Sequence, residues 1–467
     1  MVFSLIAAVY IWQWFLLSPA RTTPVPVSRA ANSALPGDVN GDNVVNALDL
    51  TAVIRDYYPD TPANSPADIN GDGRVNALDI RYVIINYLKT APATPTSIPT
   101  SVTTPTKIPT QSPTVPPLPS PTQGPIPTRS PNTGSGIWIS KNELALLPTT
   151  GAEWTSLHSA ASGSWAAADI SNQDSSHDIY TLAGALVCAR TGEFCDKARA
   201  AVVSAINTEN GGRWLAVGRN LTGYVIAADV LNLRSDGNSG SDGSRVEAWI
   251  GNFLTKTLQY NNDASRQVQF TPFGSGSNAS AQEGAGYAAV AAYLGNKTAL
   301  TYVWNRFRLY ACDLTTPETG INIANGVAGG WTHNPSAPCA VNPKGTSKNG
   351  YRIDGAIIND MVRGGNFQWP PGYTQYPWVG LEGFVPAALL LYRAGYPALE
   401  LADRAVLRSL EFLLYVRTAT GNSQWFDGSR SNEIIHLVNV FYGVNLPMNG
   451  PTAGGRTVGY TGWTHPK

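Results

Sequence analysis

Of the 34 prolines in the 467-residue chain, 13 fall between Ala91 and Pro131, and this stretch most constrains what the chain can build. From Lys89 to about Ser135 the sequence is Pro, Thr and Ser with almost no charge and no apolar period, so it cannot bury a core. Frequent proline favours extended polyproline II, which makes 90–135 a semi-rigid spacer whose Thr and Ser could carry O-glycans. Folded structure must therefore lie on either side of it, in a small block before and a large block, 136–467, after. Whole-chain averages then sum unlike parts. The 32 basic and 32 acidic side chains cancel, which argues against nucleic acid or an anionic membrane as partner. The cancellation is unevenly built: residues 37–89 hold 8 acidic against 4 basic groups, whereas 136–467 hold 24 of each.

Val2 to Leu17 form an apolar run closed by Ser18-Pro19-Ala20 and the first charge, Arg21. Its length suits a signal-peptide core better than a membrane span, which needs about 20 residues. Residues 1–20 therefore read as a signal peptide, with an uncleaved anchor as the alternative, and the protein as secreted. Export suits the four cysteines. Cys188 and Cys195 lie close in sequence, as do Cys312 and Cys339, and none forms a CxxC pair. They read as two local disulfides or as buried free thiols.

One internal repeat is clear. GDVNGDNVVNALDLTAVIRDYY begins at Gly37 and ADINGDGRVNALDIRYVIINYL at Ala67, about half identical. Each copy sets side-chain oxygens at positions 1, 3, 5, 9 and 12 of a loop: Asp38, Asn40, Asp42, Asn46, Asp49, and Asp68, Asn70, Asp72, Asn76, Asp79. Position 7 offers a backbone carbonyl, from Val44 and Arg74. Ca²⁺ is a hard cation wanting six to eight oxygens, and this spacing wraps a 12-residue loop around one. Gly73 holds the sharp-turn position of the second loop, and Asn43, tolerant of left-handed backbone, that of the first. An amphipathic helix follows each loop. The pair resembles a type I dockerin, at 37–89. The resemblance implies two structural Ca²⁺ ions and a cohesin-bearing scaffold as partner. In that family the residues at loop positions 10 and 11 help read the cohesin; here they are Ala-Leu in both copies, which implies two nearly equivalent docking poses.

Beyond Gly136 the sequence is rich in amphipathic stretches of 10 to 20 residues ending in Gly turns, among them HDIYTLAGALVCARTGE, LTGYVIAADVLNL and WVGLEGFVPAALLLYRAGY. Alternating strand patterns are scarce. The fold reads as mainly α, stacked helical hairpins curved into a toroid. RNLTGYVIAADVLNL, GAGYAAVAAYLGN, DGAIINDMVRGGNFQWPPGYTQYPWVGLEG and the tail HLVNVFYGVNLP with VGYTGWTHP resemble the alginate-lyase-type (α/α) toroid of bacterial polysaccharide lyases. That resemblance spans most of 140–467 and implies β-elimination on an acidic, uronate-containing polysaccharide, alginate first.

Such a lyase removes the C5 proton alpha to a carboxylate and expels O4. It needs a group to neutralise the carboxylate, a base and an acid. The family's Asn is matched by Asn278, its Arg by Arg363 and its Tyr by Tyr376. Where a family His would align stands Gln282, which cannot act as a base, so proton transfer falls on Tyr376 as both base and acid or on a His such as His436. Each has an ordinary alternative: Asn278 as a helix cap or sequon, Arg363 as an ion pair with Asp360, Tyr376 and His436 as packing. Substrate contacts are expected from Arg219 and Tyr224 at a helix start, His333 in a Gly/aromatic loop, and Trp369 and Trp378 in an aromatic loop that is either a sugar-stacking rim or core. A glycoside hydrolase on the same scaffold would instead need two carboxylates, for which Glu283, Asp354, Asp360 and Glu382 are available. A non-catalytic carbohydrate-binding module is the third reading.

Overall fold

The computed structural model describes residues 38–40, 44–45, 49, 52–53, 66–69, 75, 79, 83, 136–260, 263–426 and 431–467. The expected signal segment 1–20, the spacer 90–135 and the loop positions Asp42, Asn46, Asn70, Asp72, Arg74 and Asn76 lie outside the described residues. The chain divides into two units, residues 1–110 and 111–467.

In the first unit the two repeat copies share a core. Val45, Val53, Ala67, Val75 and Val83 form one buried cluster with Val39 and Ile69 packed against it. Val45 and Val75, Val53 and Val83, and Val39 and Ile69 occupy matching places in the copies. Each loop closes on itself. Oδ1 of the buried Asp49 accepts from the backbone N–H of Val39 at 2.7 Å and Asn40 at 3.1 Å. Oδ1 of Asp79 accepts from Ile69 N–H at 2.8 Å.

The second unit is mainly helical. Its elements are α1 (Lys141–Leu146), α2 (Ala152–Ser162), α3 (His177–Thr191), α4 (Cys195–Ser204), α5 (Trp214–Val230), α6 (Asp242–Asn252), α7 (Asn278–Tyr293), α8 (Lys297–Tyr310), α9 (Ala324–Ala328), α10 (Ile358–Met361), α11 (Tyr376–Arg393), α12 (Leu401–Thr420), α13 (Asn432–Tyr442) and α14 (Thr461–Thr464). Two antiparallel hairpins interrupt them: β1 (Thr257–Tyr260) with β2 (Asp263–Gln269), and β3 (Ser347–Lys348) with β4 (Tyr351–Arg352). The second turns through Asn349 and Gly350 at φ 53° and 83°, as a two-residue hairpin loop demands.

Two kinds of helix alternate along the chain. α2, α4, α6 and α8 bury one apolar stripe, such as Val246, Trp249 and Ile250 of α6. α3, α5, α7, α11 and α13 are buried on nearly every side. These buried helices pack in succession, α3 on α5, α5 on α7, α7 on α11 and α11 on α13. Small residues set the spacing. Gly218 lies against the backbone of Glu283, and Gly286 against Leu221; Gly380 faces Asn278, and Gly383 faces Ala281 and Gln282. Ser431, at the start of α13, bonds Glu382, and Phe441 meets the Tyr392 ring. Residue numbers rise together across each contact, so α5, α7, α11 and α13 run parallel and their N-terminal ends share one face.

The succession returns on itself. Glu153 of α2 accepts from Thr452 N–H at 3.0 Å and its hydroxyl at 2.6 Å. The Trp463 indole N–H donates to the Pro148 carbonyl at 2.8 Å, and its ring lies 5.5 Å from Trp154. The last helix of this unit is thereby docked on α2 and the loop before it. Both cysteine pairs are local disulfides, Cys188–Cys195 joining α3 to α4 and Cys312–Cys339 fastening the loop after α8.

A methyl group on Gly383 would fall 2.3 Å from the Ala281 carbonyl carbon and the Gln282 nitrogen, both backbone atoms that cannot swing aside. Gly383→Ala is therefore expected to force α7 and α11 apart and cost about 1–3 kcal/mol. Gly251→Ala, where nothing lies within 4 Å of the added methyl, should match or slightly exceed wild-type stability. Thermal unfolding of the two variants measures both.

Candidate functional site

The parallel arrangement gathers polar residues at the N-terminal turns of helices whose flanks are otherwise apolar. Asp178 comes from α3, Arg219 from α5, Asn278 and Gln282 from α7, Tyr376 and Glu382 from α11, and Glu433 from α13. Helix N-termini carry partial positive charge, so this face favours anions.

Asn278 and Gln282 stand one turn apart on α7. The Asn278 backbone N–H and Nδ2 both donate to Asp360 Oδ1, at 3.0 and 2.9 Å. Asp360 is fully buried, its Oδ2 has no hydrogen-bond partner among the described residues, and burial pushes its carboxyl up to about 7 against the pull of Asn278 and Arg363. Gln282, also fully buried, accepts from Arg219 Nε at 3.3 Å and donates to the Val379 carbonyl at 3.2 Å. Arg219 also donates from Nη1 to the Gln173 carbonyl at 3.0 Å. Arg363 Nη2 donates to the Tyr376 hydroxyl at 2.9 Å, and its guanidinium lies 4.2 Å from the centre of that ring. Asn278, Gln282, Arg219, Arg363 and Tyr376 thus belong to one neighbourhood. The expected Arg363–Asp360 ion pair does not form within 4 Å; Asp360 is spent on Asn278, and Arg363 bears on it only through its field.

Other expected site residues lie elsewhere. Trp378 is core, 2 % exposed, with its indole N–H on the Trp425 carbonyl and its ring edge-on to Phe426. Trp369 stacks on Tyr351 at 4.6 Å and leans on Tyr415. Tyr224 is buried, and its hydroxyl meets His177 Nδ1 at 2.7 Å, which keeps both rings inside the packing. His436 Nε2 donates to the His465 carbonyl at 2.9 Å, among Glu153 and Lys467 rather than Arg363, and burial lowers its pKa. It helps dock the C-terminal segment. His333 stands on a loop that Trp331 ties to the Gly365 carbonyl at 3.0 Å, and no hydrogen bond joins it to the Asn278–Tyr376 group.

Of the carboxylates considered for hydrolysis, Asp354 pairs with Arg408 and caps Gly345 N–H, and Glu283 is buried against Gly218. Glu382 accepts from the Ser431 hydroxyl at 2.8 Å. The sequence reading missed Glu433, whose carboxyl is pushed up to about 7 by burial and the Glu382 charge, and Asp178, raised by burial to about 8. It missed Arg456 too, which bears on Arg219. No spacing signal marks them, because they meet only through helix packing.

In the loops of the first unit, Asp38 is 7 % exposed and Asp49 and Asp79 are fully buried. Buried carboxylates need a cation or donors around them, and the hard-oxygen set of each loop suits calcium. Among the described residues no three His, Cys, Asp or Glu side chains cluster.

A family model described as Dockerin type I domain matches residues 36–98. The chain thus contains a type I dockerin domain, which implies a cohesin-bearing scaffold as partner and an extracellular, cellulosome-type setting. Comparison with curated proteins returned no match, and neither did comparison with solved structures. No described helix is long and apolar enough to cross a membrane.

Asp360 ionises near its ordinary value when unfolded and at about 7 when folded. Its contribution to stability is therefore complete below about 4 and lost as pH rises toward 7. Asp360→Asn keeps an acceptor for Asn278 but cannot ionise. The variant should lose less stability than wild type between pH 4 and 8, as denaturant midpoints across that range would show.

Proposed function

We propose that residues 136–467 form an (α/α) toroid polysaccharide lyase that cleaves a uronate-containing polymer by β-elimination, with alginate the first substrate to try, and that the dockerin attaches it to a cohesin scaffold outside the cell. The alternation of buried and one-faced helices, and the docking of α14 on α2, support the toroid. The observation that carries the chemistry is the 2.9 Å bond from Arg363 to the Tyr376 oxygen beside Asn278. Because Arg363 donates to that oxygen, a cation stands where Tyr376, acting as a phenolate base, would carry its negative charge.

In this reading Asn278 presents its amide to the uronate carboxylate, helped by the helix N-termini and by the charge of Arg219, which the buried Gln282 holds in place. Tyr376, as the phenolate, takes the C5 proton as the C5–C4 double bond forms, and the phenol so formed passes that proton to O4 as the C4–O4 bond breaks, which regenerates the phenolate. Both transfers on one sugar face make this a syn elimination, and Gln282 takes no part in moving protons. The shell that fixes the site is Asp360 behind Asn278 and Val379 behind Gln282.

Each dockerin loop would hold one structural Ca²⁺, the first through Asp38, Asn40, Asp42, the Val44 carbonyl, Asn46 and Asp49, the second through Asp68, Asn70, Asp72, the Arg74 carbonyl, Asn76 and Asp79. The ion offsets the charge of the buried carboxylates and so supports the fold of the docking module.

Glu382 and Glu433 favour a second reading, a glycoside hydrolase, since two coupled carboxyls with one held up near 7 suit an acid and base pair. The readings separate by product. A lyase leaves unsaturated uronosyl ends absorbing near 235 nm, and Tyr376→Phe should lower that rate at least a hundredfold with the fold intact. A variant with full activity would remove Tyr376 from proton transfer, whereas new reducing ends without absorbance would favour hydrolysis. Separately, calcium chelation should abolish cohesin binding in a pull-down while leaving polymer cleavage unchanged.

A further inference from the structure

Beside Arg219 lies a cavity of about 240 Å³ lined by Gln173, Asp174, Asp178, Arg219, Asn220 and Arg456, with Ser175 and Ser176 also on its lining. Its walls are the loop before α3, the start of α3, the side of α5 and the C-terminal loop at Gly455–Thr457. It is smaller than the ~300–1,000 Å³ pockets that take drug-sized ligands, a size for one sugar ring.

The polar groups around it are built in. Arg219 is 6 % exposed and fixed by Gln282 and the Gln173 carbonyl. Arg456 is exposed, close enough for its charge to lower the Arg219 pKa, and has no side-chain hydrogen bond or ion pair among the described residues. Asp178 is 2 % exposed, and its Oδ1 has no hydrogen-bond partner among the described residues. Burial keeps it protonated at neutral pH, so it offers a hydrogen rather than a charge. Two guanidiniums against the single rim carboxylate of Asp174 leave the lining net positive. Paired guanidiniums of this kind match a carboxylate, whose two oxygens accept from both. Asn220, Gln173 and the serines suit sugar hydroxyls.

We infer that this cavity is a binding subsite for a single carboxylated sugar residue, its carboxylate held between Arg456 and Arg219. The inference rests on reading the adjoining helix-end face as a polysaccharide site. It extends that reading by adding a second uronate position beside the reacting one, so that the substrate carries acidic sugars on at least two positions.

The test uses the full chain and calorimetric titration with glucuronate, methyl glucoside and inorganic phosphate. Glucuronate should bind, methyl glucoside should not, and Arg456→Gln should weaken glucuronate at least tenfold. Lys297→Gln, an exposed cation on α8, should change nothing. Tyr376→Phe should retain glucuronate binding while losing lyase activity. The inference is overturned if wild type fails to bind glucuronate, if Arg456→Gln binds as wild type does, or if methyl glucoside binds equally. Phosphate binding as tight as glucuronate would also overturn it, by marking a general anion site. Arg456-dependent glucuronate binding without any 235 nm activity would sink the lyase reading and leave the subsite standing.

Discussion

The helix from Asn278 to Tyr293 has no face left for solvent, and the arrangement around it follows from that. Every residue except Ala292 is buried, so the helix must be covered by neighbours whose backbones come close. Gly218 on one side and Gly383 on the other permit the approach, each leaving no room for even a methyl group. Because both neighbours run parallel to it, three N-terminal ends arrive at one face together. An antiparallel bundle would have alternated the helix dipoles and cancelled their field.

That face concentrates groups that a protein surface would keep apart. Asp178, Asp360 and Glu433 are buried acids held up toward neutrality, while Arg219 is a buried cation braced by an amide and a carbonyl. Desolvation disfavours the ionised acids, so this face carries less negative charge than its carboxyl groups would hold in water. A net charge of zero thus coexists with an uneven local distribution of charge. Zero came from adding an acidic dockerin module to balanced and nearly uncharged parts.

Much of the framework was legible in the sequence, residue by residue. The oxygens from Asp38 to Asp49, repeated from Asp68 to Asp79, marked the docking module because a metal loop is a local object with fixed spacing. Helices were legible through Gly turns and apolar stripes, and the short separations of Cys188–Cys195 and Cys312–Cys339 suggested local bridges. Asn278, Gln282, Arg363 and Tyr376 were selected by resemblance and do fall in one neighbourhood. Trp378 was misjudged because an aromatic in a Gly/Pro-punctuated loop looks like a sugar rim, whereas this one begins a buried helix. Tyr224 and His436 were misjudged for a related reason: a polar tip on a helix does not reveal which face it lies on when all faces are buried.

The sequence by itself determined the dockerin repeat and the helical character of the large unit, since each depends on residues near one another along the chain. Only the tertiary structure decided which polar side chains share a site. Arg219 with Gln282, Asn278 with Asp360, and Glu382 with Glu433 are separated by 51 to 82 residues. Their meeting depends on glycine-spaced parallel packing, a property of helix surfaces in contact that no periodicity along a single helix encodes.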